Sequence, residues 1–106
     1  MSKENKREVY CCDMRGFLSF LILFLLSKKP MNGQELANEL EKRKGDKPSP
    51  GTIYPALKNL HQEKLIKEKQ EGKSITYTLT DEGKQALKLA KERFVRTFSD
   101  LFWFLV

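Results

Sequence analysis

The sequence predicts a mainly α fold with one small β-hairpin (α+β), and three observations support this prediction. Apolar residues recur at helical spacing in four segments of the chain. Two short runs that are typical of strands flank a Gly-Lys turn between the third and fourth of these segments. With 106 residues, 40% of them hydrophobic and 32% charged, the chain has the size and composition of one globular domain.

The first helix is expected to follow a flexible polar arm over residues 1–8 and to end at Ser27. Nine of the ten residues in 17–26 are apolar, but a bilayer-spanning helix needs about 20 such residues. Lys28, Lys29 and Pro30 then stop the helix. The segment is therefore interpreted as a helix that is buried on nearly every side, and no membrane partner is expected. A membrane-surface protein is kept as an alternative.

The second and third helices are separated by a basic loop over residues 42–47. Asn32 is the expected N-cap of the second helix, and Glu35 follows at the spacing of a capping box. Ser49 or Thr52 is expected to cap the third helix, which places Pro55 within its first turn, where proline costs no hydrogen bond. The residues of the third helix expected to face the core are Ile53, Leu57 and Leu60. Its opposite, polar face consists of Thr52, Tyr54, Pro55, Lys58, Asn59 and Gln62.

The hairpin is predicted over residues 65–71 and 74–80, and a long final helix over residues 82–105. Thr80 or Asp81 is expected to cap this final helix. Its apolar residues recur at steps of three and four, which is the spacing of a helix-pairing seam. The seam consists of Leu87, Ala90, Phe94, Phe98, Leu101 and Leu105.

This order of elements matches a winged helix-turn-helix domain over residues 9–80, followed by a C-terminal dimerisation helix over residues 81–106. The run Pro-Gly-Thr-Ile-Tyr-Pro-Ala-Leu at 50–57 resembles the recognition-helix signature of the PadR family of transcriptional regulators, in its compact branch with a single C-terminal helix. Where that family usually has glycine, before Leu65, this chain has Lys64. Lys64 is therefore expected to adopt a left-handed backbone or to end the helix differently.

The resemblance implies a homodimeric, sequence-specific DNA-binding regulator, usually a repressor, which reads double-stranded operator DNA with the helix at 51–63 and the wing at 71–74. The excess of 20 Lys and Arg over 14 Asp and Glu suits such a polyanionic partner. A winged-helix adaptor for protein–protein contact is the alternative function. A dimer is expected to prefer an inverted repeat. The residues expected to contact DNA are Ser49, Gly51, Thr52, Tyr54, Pro55, Lys58, Asn59, Lys73 and Ser74.

The dimer is expected to form through the first and last helices, because all seven Phe fall in two clusters that lie there. Left in water, such a patch on a soluble monomer would normally mark an interface. The alternative is that the last helix folds back on its own subunit. Trp103 is the candidate contact for a small apolar effector between the paired helices. The predicted interface residues are Phe17, Phe20, Phe24, Phe94, Phe98, Leu101, Phe102 and Leu105.

An enzyme is not expected, because the sequence shows no catalytic constellation and no phosphate-binding Gly loop. No cofactor is expected, and no metal site, since His61 is the single histidine. The two cysteines, Cys11 and Cys12, are adjacent and do not form the spaced pairs of a secreted disulfide framework. A cytoplasmic location is therefore expected, with the two thiols either plain or acting as a redox or metal sensor.

Overall fold

The computed structural model describes residues 14–105, and within them the side chains of residues 17–99. The elements are α1 (Met14–Leu26), β1 (Met31–Asn32), α2 (Gly33–Lys44), α3 (Pro50–Gln62), β2 (Ile66–Glu71), β3 (Ser74–Leu79) and α4 (Asp81–Leu105). The predicted fold class and order of elements are confirmed, with β1 in addition. The arm at 1–8, Cys11 and Cys12 lie outside the described residues, as do the side chains of Leu101, Phe102, Trp103 and Leu105.

Helix α1 lies at the centre of the domain and packs against α2, α3, α4 and β3. Ile22 and Leu25 are almost completely buried, while Phe17, near its start, is 43% exposed. The apolar segment is therefore explained by burial within the domain. Among residues 14–105, no helix has both the length and the apolar character that crossing a membrane requires.

Helix α2 begins with the predicted capping box. The Asn32 side chain accepts a hydrogen bond of 2.8 Å from the Glu35 amide, and the Glu35 carboxylate accepts one of 2.9 Å from the Asn32 amide. Leu36 and Leu40 are fully buried on one face of this helix. These bonds fix the first turn of α2, which adjoins the candidate interface described below.

Helix α3 begins at Pro50, earlier than a Thr52 cap would allow. The expectation that Pro55 lies in the first turn of this helix is therefore wrong. Ser49 is the N-cap with an extended backbone, and Pro50 is the first helical residue. Pro55 therefore lies inside the helix, one turn beyond its start. Because proline has no N–H, the Gly51 carbonyl lacks its usual helical partner. Both Gly51 and Pro55 are exposed, so this carbonyl lies on the open side of the helix.

Helix α3 ends in a Schellman motif with Lys64 in the left-handed position. Lys64 has a φ of 65°, and among the described residues no other non-glycine residue has a positive φ. The amide of Leu65 bonds the Leu60 carbonyl and that of Lys64 bonds the His61 carbonyl, both at 3.0 Å. Of the two possibilities left open by the sequence, the left-handed backbone is the one adopted.

Replacing Lys64 by glycine is expected to stabilise the domain. A non-glycine residue in the left-handed region costs about 1–2 kcal/mol, part of which is offset by the larger backbone entropy of glycine in the unfolded chain. A net gain of about 1 kcal/mol is expected, measured as a rise in the urea midpoint. Lys64→Ala is the matched control, because it removes the side chain but keeps the strain. An equal gain in both variants would contradict this explanation.

The three strands form one antiparallel sheet in the order β1-β3-β2. Ile66 pairs with Leu79 and Glu71 with Ser74, so the hairpin has the register that its Gly-Lys turn predicts. Strand β1 adds the pair of Met31 with Tyr77 on the other edge of β3. The face that carries these apolar residues covers the core, and the opposite face is open to solvent.

Helix α4 is joined to the base of the hairpin by Thr80. The Thr80 hydroxyl donates 2.7 Å to the Lys64 carbonyl and accepts 2.9 Å from the Gly83 amide, so Thr80 is one of the two caps expected. The Thr80 amide donates 3.1 Å to the Leu65 carbonyl. Any side chain at Gly83 would collide with that same Leu65 carbonyl. The start of α4 and the base of the hairpin are therefore in close contact.

Candidate nucleic-acid interface

One face of α3 holds the helix in the core, and the other carries polar groups into solvent. Ile53, Ala56, Leu57 and Leu60 are between 1% and 8% exposed, which confirms the core residues expected and adds Ala56. With four anchors at helical spacing, the orientation of α3 is set by burial. All the residues expected to contact DNA from this segment are exposed, namely Ser49, Gly51, Thr52, Tyr54, Pro55, Lys58 and Asn59.

Tyr54 is the one large aromatic side chain on this polar face. It is 49% exposed, so half of it is in contact with the protein. The contact is with Gly33, the first residue of α2: a Cβ built on Gly33 would lie 2.5 Å from the Tyr54 hydroxyl oxygen. The spacing of residues in the sequence predicted that Tyr54 lies on the exposed, polar face of α3. It gave no indication that Gly33 lies beneath the Tyr54 ring.

The hairpin presents a short turn that carries the second group of expected contacts. Gly72 has a φ of 63°, which glycine adopts without strain, and Lys73 and Ser74 are exposed beside it. The Gln70 side chain donates 2.9 Å to the Gly72 carbonyl and the Ser74 hydroxyl donates 3.3 Å to the Glu71 carbonyl. The turn therefore leaves Lys73 exposed at the end of the hairpin.

The hairpin also carries acidic groups that the sequence analysis did not single out. Glu71 accepts 2.7 Å from the Thr76 hydroxyl and lies 3.8 Å from the Lys69 amine. Glu68 stands opposite Tyr77 in the sheet. Burial raises the pKa of Tyr77, and the nearby Glu68 and Tyr54 raise that pKa further. Tyr77 therefore stays a neutral phenol at neutral pH.

The predicted dimer residues of α1 and α4 meet within one chain. The rings of Phe20 and Phe94 stack with centroids 5.8 Å apart, and Phe98 lies 4.7 Å from Phe94. Phe20, Phe94 and Phe98 therefore form one aromatic group that joins α1 to α4. Phe98 remains 37% exposed, so part of this group faces solvent, and Phe17 of α1 is 43% exposed.

The third of these α1 aromatics, Phe24, is surrounded by cations. Lys28, Arg43 and Lys91 come from three different segments and lie 4.9, 5.4 and 6.0 Å from the centre of its ring. An aromatic face attracts cations, which offsets part of their mutual repulsion. Cations therefore surround part of the Phe24 ring within the protomer itself. Within residues 17–99, no three His, Cys, Asp or Glu side chains come together as metal ligands.

Three helices, a hairpin that extends beyond them and a polar face on the third helix together define the winged helix-turn-helix class of proteins. The model of the transcriptional regulator PadR-like family matches residues 22–89. The chain therefore belongs to the PadR-like family of transcriptional regulators, as its recognition-helix motif indicated. This is a family of regulators rather than of enzymes, which confirms the expectation of a non-enzymatic protein.

Individual relatives support this assignment. The chain is 37% identical over 81 residues to the transcriptional regulator YqjI of Escherichia coli K12, covering 74% of this chain and 39% of that protein. This chain thus spans about two fifths of the length of that relative. A PadR family transcription regulator from Clostridium difficile R20291 is 30% identical with a TM-score of 0.66, covering 82% of this chain and 98% of that one. A transcriptional regulator from Clostridium thermocellum shares the fold, with a TM-score of 0.76, 22% identity, and coverage of 88% of this chain and 97% of that one.

Proposed function

We propose that this chain is a homodimeric transcriptional repressor that binds a specific operator in double-stranded DNA. The observation that carries the proposal is the polar face of α3, which four buried anchors turn outward as a continuous exposed row. A helix of this size fits the major groove, where exposed side chains reach the base edges. An adaptor for protein–protein contact would need apolar residues on this face, and its centre carries Thr52, Lys58 and Asn59 instead.

In this proposal the residues divide into two roles. Thr52, Tyr54, Lys58 and Asn59 carry groups that hydrogen-bond base edges or phosphates from α3. The exposed Gly51 backbone allows DNA to approach closely. The Gly51 carbonyl can accept a hydrogen bond from DNA, because Pro55 has no N–H to occupy it within the helix. The wing adds Lys73 as a phosphate contact, with Ser74 beside it. The formal charge of +6 favours the encounter with DNA as a whole.

The homodimer is proposed to form through α1 and α4, around the aromatic group that contains Phe98. A small apolar effector is proposed to bind between the paired helices near Trp103, and a cytoplasmic location follows from this role. Two recognition helices related by two-fold symmetry would read an inverted repeat with half-sites about one DNA turn, roughly 34 Å, apart.

The test is selection of bound fragments from the source genome, followed by footprinting of the strongest one. The expected result is a protected inverted repeat with two half-sites about 34 Å apart. Protection of a single asymmetric half-site would contradict the dimeric mode of reading. Enrichment of no sequence over bulk DNA would contradict the proposed function itself.

Replacing Lys73 by alanine is expected to weaken binding to all DNA sequences by a similar factor. A lysine on a phosphate carries no sequence information, and its loss reduces the slope of log affinity against log salt by about one. Titrations of operator and of random DNA at four salt concentrations measure both effects. Lys88→Ala, an exposed lysine of α4, is the matched control and should leave the slope unchanged. A change confined to the operator would mean that Lys73 reads bases instead.

A further inference from the structure

Gly33 leaves the space in which the Tyr54 ring lies. A Cβ at position 33 would be 2.5 Å from the Tyr54 hydroxyl oxygen and 2.9 Å from two carbons of the ring, Cε1 and Cζ. Atoms in ordinary van der Waals contact stay about 3.5 Å or more apart. Any side chain at position 33 therefore requires that either the α2 backbone or the Tyr54 ring shift by about 1 Å.

The ring is the part that would shift. The α2 backbone at this point is fixed by the capping box of Asn32 and Glu35 and by the pairing of Asn32 with Thr76 in the sheet. Tyr54 is 49% exposed, so its ring has open solvent on the side away from Gly33. Its side chain can rotate without breaking a hydrogen bond, since none of the side-chain hydrogen bonds within residues 17–99 involves the Tyr54 hydroxyl.

We propose that Gly33 is a positioning residue for DNA recognition: by carrying no side chain it lets Tyr54 lie against the first turn of α2, which sets where the Tyr54 hydroxyl meets the DNA. This inference rests on the proposed function. A hydrogen bond to a base or phosphate tolerates only a few tenths of an ångström in length. A displacement of about 1 Å therefore removes the contact even though the tyrosine is still present.

If Gly33 has this role, its replacement affects operator binding and thermal stability differently. Alanine is a better helix former than glycine, and the exposed ring makes room without disturbing the core. Gly33→Ala is therefore expected to leave the midpoint of thermal unfolding unchanged or to raise it, while operator binding weakens. A purely structural role for Gly33 predicts the opposite for stability, namely a lower midpoint.

The experiment is a double-mutant cycle on the operator defined by footprinting. Gly33→Ala should weaken operator binding by about 5-fold or more, without exceeding the loss in Tyr54→Ala. In the Tyr54→Ala background, Gly33→Ala should cause no further loss, because no ring remains to be displaced. Asn38→Ala, an exposed change on α2, is the control and should bind as the wild type does. Wild-type affinity in Gly33→Ala, or equal losses in both backgrounds, would overturn the proposal.

A second measurement needs no DNA and so distinguishes failure of this inference from failure of the proposed function. In the free protein, the Tyr54 ring should shift the Hα resonances of Gly33 in the NMR spectrum, and Tyr54→Ala should abolish that shift. A Gly33 resonance that is unaffected by Tyr54→Ala would overturn the contact whatever the DNA result. A wild type that selects no DNA, with the shift present, would contradict the proposed function alone.

Discussion

Phe98→Glu is expected to dissociate the proposed dimer, so that the variant is a monomer at micromolar concentration. Phe98 is 37% exposed in the protomer and packs against Phe94, which stacks on Phe20. Burying the exposed third of this side chain against a partner contributes about 0.5–1 kcal/mol, and two-fold symmetry places the change in both subunits. The larger cost is electrostatic, because the variant would bury two unpaired glutamate charges in the interface. The dimer dissociation constant should rise by roughly 10²-fold or more.

Light-scattering mass across a concentration series measures this effect. Leu89→Glu is the matched control: Leu89 is 62% exposed and, at nine residues' distance, lies on the opposite side of α4 from Phe98. That variant should stay dimeric. Adding Leu101→Glu to Phe98→Glu should enlarge the loss. A wild type that is monomeric, or a Phe98→Glu variant that remains a dimer, would show that α4 does not form the interface.

Tyr54→Ala is expected to weaken operator binding by about 1–3 kcal/mol, which corresponds to about 5- to 150-fold. The side chain belongs to the polar face of α3 and is not part of the buried core, so the fold should survive its loss. Lys58→Ala removes a group suited to a guanine edge or a phosphate and should have an effect of similar size.

Fluorescence anisotropy with labelled operator measures both variants, and thermal unfolding confirms that they are folded. His61→Ala is the control on the same helix, since His61 is exposed near its C-terminal end, beyond the residues expected to contact DNA. It should bind as the wild type does. If Tyr54→Ala and Lys58→Ala both keep normal affinity, α3 is not the recognition helix.

The parts of the fold that depend on neighbouring residues could be predicted from the sequence. The capping box requires only Asn32 and Glu35 three residues apart, because the geometry of a helix start brings each side chain to the backbone amide of the other residue. The core face of α3 follows from apolar spacing in the same way. The left-handed Lys64 was one of two outcomes expected from the resemblance, since the PadR family usually has glycine at that position.

Features that join distant segments could not be predicted. Strand β1 has two residues, too few for any periodic pattern, and it exists because β3 offers it an edge. The contact of Gly33 with Tyr54 and the stacking of Phe20 on Phe94 bring together residues 21 and 74 positions apart. The error at Pro55 has a local cause: both Ser49 and Thr52 were acceptable caps, and sequence preferences do not separate them.

The junction at Thr80 also has a mechanical consequence. The Thr80 hydroxyl bridges the end of α3 and the start of α4, and Gly83 lies directly against the Leu65 carbonyl, so α4 has no room to slide there. A change in the tilt of α4 must therefore carry the base of the hairpin with it or break these hydrogen bonds. An event that reorients α4 at this junction is therefore expected to move the hairpin and Lys73 at its end.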